Sequence, residues 1–277
     1  MKTANTLNYL KDLFFINRNE NCKQLDIEFM ISSLLNLERV DLYTNPLLMS
    51  DQQKEELSSM ISRRNHGEPL AYILGTKGFW NINLKVNKHV LVPRPETELI
   101  IQEILDQFDE KPLIVLDAGT GSGCIALSLA NERKQWSIFA NDKSKKALRV
   151  AIQNKKKLKL SVNFLRSDWL APFAHEKFDL IVSNPPYIKE DDPCLEEDGI
   201  MYEPLTSLVS EGSGLNDLKN IITSSSTCLK KGGCLFVEHA PWQTKGIRNI
   251  FRESSFMEMR VFRDLNGDER VSSAVRY

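Results

Sequence analysis

Near the middle of the chain, an apolar run is followed by four residues suited to binding a polar group. The run 178–182 leads through Ser183 into Asn184-Pro185-Pro186-Tyr187. Two successive prolines fix φ and have no N–H, so the carbonyl groups of Asn184 and Pro185 can stay free as hydrogen-bond acceptors. The side-chain oxygen of Asn184 adds a third acceptor, and Tyr187 offers an aromatic face. This pattern predicts a rigid acceptor array for a planar –NH₂ group.

A glycine-rich segment follows an earlier apolar run and is the second candidate site. Its sequence is Asp117-Ala118-Gly119-Thr120-Gly121-Ser122-Gly123-Cys124. Glycine lets a backbone approach a ligand closely, and ligands of open α/β sheets lie outside the carboxyl ends of the strands. A dinucleotide fingerprint requires glycine three positions after Gly121, where Cys124 stands, so the spacing here is G-x-G-x-G. The alternative is that these glycines have only a structural role, because a sharp turn between a strand and a helix also favours glycine.

Acidic residues follow the next two predicted strands. Asp142, about 19 residues after Gly123, can accept hydrogen bonds from both hydroxyls of a ribose. NAD-binding folds carry an acid at this place too, so Asp142 indicates a nucleoside ligand without selecting one cofactor. After the third strand, Asp168 could accept from an adenine amino group and Trp169 could flank the ring. The alternative for this pair is an exposed acid beside a partly buried tryptophan.

Both principal motifs resemble those of one enzyme class. The glycine-rich segment is similar to motif I of class I S-adenosylmethionine-dependent methyltransferases, and Asn184–Tyr187 resembles motif IV of those that modify conjugated –NH₂ groups. Nearly the whole chain resembles the bacterial peptide chain release factor glutamine N5-methyltransferase family. Beyond the two motifs, the similar segments are Gly67–Tyr72, Gly78–Trp80, Leu91–Glu98, Tyr202–Leu205 and Asn266–Val271. Ala118 and Cys124 stand where other small or apolar residues are frequent in the family.

The resemblance implies an activity and a set of site residues. Members of that family methylate the glutamine of the Gly-Gly-Gln loop in class 1 release factors, which act in translation termination. The expected cofactor is S-adenosylmethionine, the product S-adenosylhomocysteine, and no metal takes part. Expected cofactor-binding residues are Asp117, Gly119, Thr120, Gly121, Ser122, Gly123, Asp142, Asp168, Trp169 and Asn184. Asn184, Pro185, Pro186 and Tyr187 are expected to bind the glutamine, and Asn184, Pro185 and Tyr187 to act in direct in-line methyl transfer.

The elements that must position these residues follow from apolar patterning. After residue 110, short apolar runs alternate with helical stretches, which predicts a doubly wound, mostly parallel α/β sheet of the Rossmann-like type. The predicted strands are Leu113–Leu116, Ser137–Ala140, Val162–Leu165, Phe178–Val182 and Cys234–Val237, and the predicted helices are Ile125–Lys134, Lys145–Lys157 and Leu215–Leu229. Met257–Arg263 and Val271–Tyr277 predict an antiparallel pair that ends the sheet.

The region before residue 96 is patterned differently. In residues 1–74 apolar side chains recur at helical spacing, from Leu7, Leu10 and Phe14 onwards, and Ser50 can cap a helix over residues 52–64. This predicts a small N-terminal helical domain, and the family resemblance implies that this domain recognises the substrate protein. Residues 75–95 predict a β-hairpin connector with its turn at Asn87-Lys88, and a helix begins after Glu96-Thr97-Glu98. Residues 96–277 form the expected catalytic domain.

Composition limits the alternatives. The 277 residues carry 36 basic and 37 acidic side chains, so the field of a dedicated polyanion binder is absent and nucleic acid is an unlikely partner. Five cysteines and four histidines lack metal-ligand spacing, and no apolar run is long enough for a membrane span. We therefore expect a cytoplasmic enzyme with a protein substrate. Alternative substrates are the glutamine of a ribosomal protein and a DNA or RNA base amine. Alternative protein classes are a cofactor-free scaffold and a nicotinamide oxidoreductase, and the missing dinucleotide-binding glycine fingerprint disfavours the oxidoreductase.

Overall fold

A computed structural model describes residues 22–44 and 48–277. The chain divides into two compact units, one formed by Met1–Gly75 with Cys194–Tyr202 and the other by Thr76–Pro193 with Glu203–Tyr277. The segment Cys194–Tyr202 thus groups with the N-terminal unit. The domain boundaries expected from the sequence, at residues 74 and 95, did not include this later segment in the N-terminal domain. The apolar positions Leu7, Leu10 and Phe14 lie outside the described residues.

The first unit is helical where it is described. Its α-helices are α1 (Gln24–Leu35), α2 (Asp41–Thr44), α3 (Asp51–Asn65) and α4 (Leu70–Leu74). Ser50 caps α3 as expected, because its hydroxyl accepts from the Gln53 N–H at 3.2 Å while the Gln53 side chain accepts from the Ser50 N–H at 2.9 Å. The helical spacing buries one face each of α1 and α3, including Met30, Ile31 and Ile61. In the same unit Tyr202 donates to the carbonyl of His66 at 2.7 Å.

A β-hairpin begins the second unit, but its turn lies earlier than expected. Strands β1 (Thr76–Phe79) and β2 (Ile82–Lys85) pair antiparallel around Trp80, which has a φ of 50°. The turn predicted at Asn87-Lys88 is therefore wrong, and residues 89–92 form no strand. The Asn154 side chain accepts from the Lys85 N–H at 2.6 Å and donates to the Lys85 carbonyl at 3.0 Å. Because these backbone groups are hydrogen-bonded to a side chain, they need no further strand as a partner.

Seven strands of the described chain form the main sheet of the second unit. They are β3 (Ile114–Ala118), β4 (Ser137–Asp142), β5 (Asn163–Arg166), β6 (Phe178–Ser183), β7 (Leu229–Glu238), β8 (Phe256–Arg263) and β9 (Glu269–Arg276), in the order β5-β4-β3-β6-β7-β9-β8. Strands β3 to β7 are parallel, and β9 pairs antiparallel with β7 and with β8. The predicted mostly parallel sheet with a final antiparallel pair is confirmed. Strand order reverses between β3 and β6, which is where open α/β sheets bind ligands.

Helices cover both faces of this sheet. They are α5 (Glu98–Gln107), α6 (Cys124–Glu132), α7 (Lys145–Leu158), α8 (Asn216–Cys228) and α9 (Thr244–Glu253), of which α9 was not predicted. Successive side chains of a strand point to opposite faces, so Val115 packs in the core that includes α5 and α6, while Leu116 packs in the core that includes α8 and α9. Burial on both faces explains the continuous apolar runs. Among the described helices, none has the length and apolar character of a membrane span.

Candidate active site

The loops that carry the two motifs meet at the carboxyl ends of neighbouring strands. The Ser183 hydroxyl at the end of β6 donates to the carbonyl of Ala118 at the end of β3, at 2.6 Å. The N–H groups of Gly119 and Thr120 both donate to the carbonyl of Asn141 in β4, at 3.0 and 2.9 Å. The glycine-rich turn is thus fixed between β4 and the Asn184 loop, at the reversal point of the sheet.

Asp117 is a fully buried anchor of the glycine-rich turn. One carboxylate oxygen, Oδ2, accepts from the Thr120 hydroxyl at 2.6 Å and from the Ala126 N–H of α6 at 3.1 Å. The other, Oδ1, has no hydrogen-bond partner among the described residues, and the same holds for the buried hydroxyl of Ser122. Burial, reinforced by the charge of Asp142, raises the pKa of Asp117 to about 7. Asp117 therefore holds the turn to the first turn of α6.

The three glycines of the turn have different surroundings. All have positive φ, at 78°, 56° and 86° for Gly119, Gly121 and Gly123. A Cβ added at Gly119 would lie 2.9 Å from the Trp169 ring, and one at Gly123 would lie 2.9 Å from Leu127. At Gly121 no atom lies within 4 Å of the added Cβ. A side chain at the first or third position would have to displace Trp169 or Leu127, while Gly121 borders open space.

Asp142, the last residue of β4, lies beside that space. Its Oδ2 accepts from the Gly121 N–H at 2.9 Å and its Oδ1 from the Ser144 N–H at 2.8 Å. Burial raises the pKa of Asp142, and these two hydrogen bonds oppose the rise. Each carboxylate oxygen keeps a lone pair beyond the hydrogen bond that it accepts, so the group is oriented and still able to accept from hydroxyls.

Trp169 and Asp168 differ in their placement. The Trp169 ring packs on Gly119, and its Nε1 donates to Asp217 of α8 at 3.0 Å. The Asp168 side chain is more than half exposed and forms an ion pair with Lys143 at 2.9 Å. The structure therefore brings Trp169 to the glycine-rich turn, while the adenine contact expected for Asp168 stays a prediction.

The Asn184 side chain has one end occupied and one end free. Its Nδ2 donates to the Thr97 hydroxyl at 3.0 Å, at the point where α5 begins. Within the described chain, neither Asn184 Oδ1 nor the Pro185 carbonyl receives a hydrogen bond. Two acceptors are thus available on a loop whose φ angles are restrained by Pro185 and Pro186.

Tyr187 is anchored at both its backbone and its ring. Its carbonyl accepts from the Gln243 side chain at 3.1 Å and packs directly against Gly214, where no side chain would fit. Its hydroxyl donates to Glu238 Oε1 at 3.3 Å, and burial raises the pKa of the phenol. These contacts fix the orientation of the ring after Pro186.

Sequence reasoning missed several residues that shape this site. Thr97 was noted only for the helix start, and Gly214, Glu238 and Gln243 were not noted at all. Glu238 could have been found, because it is an acid directly after the apolar run 234–237, at a strand end like Asp142. The resembling segments around Arg94 and Glu203 also meet, with Arg94 donating to Glu203 at 2.5 Å and Glu203 accepting from the Val92 N–H at 3.0 Å. In the described part of the chain no cluster of His, Cys, Asp or Glu could hold a metal ion.

The sheet order, the glycine-rich turn after β3 and the acidic residue that ends β4 define a class I methyltransferase fold. Solved structures share this fold at low sequence identity. The ribosomal protein L11 methylase of Lactobacillus delbrueckii subsp. bulgaricus aligns at TM-score 0.51 and 21% identity, covering 70% of this chain and 84% of its own. The T. thermophilus 16S rRNA N2 G1207 methyltransferase in complex with AdoMet and guanosine aligns at TM-score 0.55 and 17% identity, covering 73% and 50%.

Sequence comparison narrows the class. Residues 14–75 match the PrmC N-terminal domain and residues 95–202 the Methyltransferase small domain. The release factor glutamine methyltransferase of Escherichia coli (strain K12) is 39% identical over 225 residues, 81% of each chain. That of Coxiella burnetii is 38% identical over 257 residues, 91% of this chain and 92% of its own. This chain belongs to the release factor glutamine methyltransferase family.

Proposed function

We propose that this protein methylates the side-chain amide nitrogen, N5, of the glutamine in the Gly-Gly-Gln loop of class 1 peptide chain release factors, with S-adenosylmethionine as methyl donor. The observation that carries the proposal is the Asn184 amide. Its Nδ2 is engaged by Thr97, so its Oδ1 and the nearby Pro185 carbonyl are left as acceptors beside the glycine-rich turn. Such an array suits an –NH₂ group. The proposed substrate places the reaction in the cytoplasm, where translation takes place.

The residues at the reversal point of the sheet fit the proposed cofactor. Gly121 borders open space, and the Asp142 carboxylate is held beside it with lone pairs to spare for ribose hydroxyls. Trp169 offers a ring next to Gly119, and the turn itself is fixed by Asp117. When bound there, S-adenosylmethionine supplies an electrophilic sulfonium methyl group. No metal ligand enters this proposal.

Asn184 and Pro185 would act on the nucleophile. An amide nitrogen is a poor nucleophile because its lone pair is delocalised into the carbonyl group. If Asn184 Oδ1 and the Pro185 carbonyl accept its two N–H hydrogens, the nitrogen is biased toward tetrahedral geometry, and that favours the transition state over the ground state. Tyr187 restricts where the planar amide can lie. Alignment of the two reactants can lower the activation free energy by roughly 7–11 kcal/mol. Transfer is then direct and in line, with no covalent enzyme intermediate.

The reaction needs no strong general base. The N-methylated amide cation is acidic enough to lose its proton to water or to a nearby carbonyl oxygen. Asn184 therefore has an electrostatic and positioning task, which its neutral amide can perform throughout the turnover.

The N-terminal unit is proposed to recognise the release factor. Residues 14–75 match the PrmC N-terminal domain, and relatives that share most of this sequence bear the name release factor glutamine methyltransferase. The cofactor and amide groups named above all belong to the second unit. A division of labour follows, in which residues 1–75 contribute to substrate binding and the second unit carries the chemistry.

Mass spectrometry tests the proposal directly. Purified release factor, ribosomal proteins and DNA would each be incubated with the protein and isotopically labelled S-adenosylmethionine. We expect one labelled methyl group on the Gly-Gly-Gln glutamine and none after that glutamine is replaced by alanine. If a ribosomal protein or a DNA base amine were labelled while the release factor stayed unmodified, the proposal would be wrong, and the labelled molecule would be the substrate. The Asn184→Ala variant serves as the catalytic control.

A further inference from the structure

A buried glutamine side chain, Gln243, lies between three loops at the carboxyl edge of the sheet. It is 3% exposed and ends the turn that joins β7 to α9. Its Nε2 donates to the Tyr187 carbonyl at 3.1 Å and to the Gly214 carbonyl at 3.0 Å. Its Oε1 accepts from the Ala240 N–H at 3.0 Å. One side chain thus connects the Asn184 loop, the segment before α8 and the segment after β7.

The neighbours of Gln243 fix the orientation of its amide group. A backbone N–H can only donate and a backbone carbonyl can only accept. Oε1 must therefore face Ala240, and the –NH₂ group must face the two carbonyls, which take one hydrogen each. The side chain has one amide orientation in which all three hydrogen bonds form.

Both ends of the segment that carries the free acceptors are held in place. At its start, the Ser183 hydroxyl donates to the Ala118 carbonyl at 2.6 Å. At its end, Gln243 bonds to the Tyr187 carbonyl, and Gly214 lies so close that an added Cβ would overlap that oxygen. Between these ends the two prolines restrain φ but leave ψ free. The contact with Gln243 therefore limits the rotation that the prolines allow.

We propose that Gln243 is a positioning residue for methyl transfer, and that it acts by holding the Tyr187 carbonyl. Because that carbonyl ends the loop, its position determines where Asn184 Oδ1 and the Pro185 carbonyl lie relative to the glycine-rich turn. This inference rests on the proposed function, since fixed acceptors matter only toward an –NH₂ substrate. A loop that is already in position needs no rearrangement during the reaction, and such preorganisation accelerates the chemical step.

The first test replaces Gln243 in the full-length protein. Gln243→Met keeps a side chain of similar length and removes all three hydrogen bonds. We expect the single-turnover rate constant at saturating S-adenosylmethionine and release factor to fall about 10–100-fold, because a small misplacement of reacting groups has an effect of this size. The calorimetric affinity for S-adenosylmethionine, and the release factor concentration that gives half the maximal rate, should stay within about threefold. Loss of folded protein would instead lower the calorimetric stoichiometry.

Thr244→Val is the matched control in the same turn. Thr244 directly follows Gln243, and its buried hydroxyl donates to the Pro241 carbonyl at 3.0 Å. The substitution removes a hydrogen bond from the turn and leaves the contact between Gln243 and the Tyr187 carbonyl intact. Its single-turnover rate constant should stay within about threefold of wild type.

Gly214→Ala tests the same carbonyl from its other side. The added Cβ would overlap the Tyr187 carbonyl oxygen and lie 3.0 Å from Gln243 Nε2, so the hydrogen bond between these two groups must lengthen or break. We expect the pattern of Gln243→Met, with a slower rate constant and retained affinity for S-adenosylmethionine. If Gln243→Met does not fold, this variant decides the inference.

The outcomes separate the inference from the function on which it rests. A Gln243→Met rate constant within threefold of wild type, or a loss of activity fully explained by a lower calorimetric stoichiometry, would overturn the positioning role. An equal loss in Thr244→Val would overturn it too. In each case the enzyme would remain a glutamine methyltransferase. If the wild type left release factors unmodified, the proposed function would be wrong and this inference would fall with it.

Discussion

At the scale of single residues, the site combines neutral amide chemistry with buried carboxyl groups. Asn184 contributes a hydrogen-bond acceptor without a full charge, and the array is completed by the Pro185 carbonyl. Asp117 and Glu238 have pKa values raised to about 7 by burial. Each buried charge costs stability, and in both cases the group fixes a loop that the proposed chemistry needs.

Asn184→Ala should lower the rate of methyl transfer far more than it lowers stability. The substitution removes one preorganised acceptor, while Pro185 and Pro186 still restrain the turn. Loss of one such hydrogen bond costs about 10²–10³ in turnover, or roughly 2.7–4 kcal/mol. Single-turnover rates at saturating cofactor and release factor measure the effect without binding or product release. A rate within about threefold of wild type would mean that the turn has only a structural role.

Glu238→Gln should change how stability depends on pH. The folded-state pKa of Glu238, about 7, lies above the ordinary value of 4.5, so between these values the folded state binds more protons than the unfolded state. The contribution of Glu238 to the unfolding free energy of the wild type therefore falls as pH rises from about 4.5 to 7. A glutamine cannot titrate, so the unfolding free energy of Glu238→Gln relative to wild type should rise by about 1–3 kcal/mol across this window.

Urea denaturation at pH 5, 6, 7 and 8 checks this trend, with the exposed Glu110→Gln as the matched control. A constant difference between Glu238→Gln and wild type would show that the carboxyl group does not titrate in this range.

At the scale of elements, the segment from β3 through the glycine-rich turn into α6 serves two purposes. Gly119 and Gly123 let the turn pack against Trp169 and Leu127, whereas Gly121 borders open space. The same three-glycine pattern thus contains two packing positions and one position at the proposed cofactor. Substitutions at the two kinds of position should have separable effects.

Gly121→Ala should lower affinity for S-adenosylmethionine at a modest cost in stability, roughly 1–2 kcal/mol, from the positive φ alone. Gly123→Ala adds a contact of 2.9 Å with Leu127 and one of 3.3 Å with Ala151, so we expect a loss of roughly 2–4 kcal/mol. Calorimetry and thermal unfolding of both variants separate binding from folding. Wild-type cofactor affinity in Gly121→Ala would place the cofactor elsewhere.

At the scale of the whole molecule, the chain forms two units that are not continuous in sequence. The segment Cys194–Tyr202 follows the Asn184 loop and yet groups with the N-terminal unit, where Tyr202 bonds to His66. The polypeptide therefore passes from the candidate active site into the proposed recognition unit and back again at Glu203.

A variant that begins at Thr76 should bind S-adenosylmethionine and methylate intact release factor poorly. The proposed cofactor residues all lie in the second unit, while the proposed recognition surface is removed. Turnover of a short peptide that contains Gly-Gly-Gln, measured on both forms, is the control for the chemical step. Unchanged turnover on the intact release factor would disprove the recognition role of the N-terminal unit.

Much of the fold could be predicted because its signals are local. Apolar runs with β-propensity gave the parallel strands, and Ser50 gave the start of α3. The hairpin turn was misplaced at Asn87-Lys88 because the Asn154 side chain, distant in sequence, satisfies the backbone of Lys85. Helix α9 was overlooked, although its buried residues Ile247 and Phe251 lie four positions apart, as one face of a helix requires.

The sequence by itself determined the kinds of group available at each strand end, since proline, glycine and apolar periodicity restrict the backbone locally. For this reason Asn184, Asp142 and the glycine-rich turn could be identified as candidate site residues from the sequence. Only the tertiary structure decided the state of these groups. Asn184 meets Thr97 across 87 positions, and Tyr187 meets Glu238 across 51. The direction of a hydrogen bond and the pKa of a buried carboxyl depend on such long-range neighbours, because burial and partners are set by packing and not by adjacent residues.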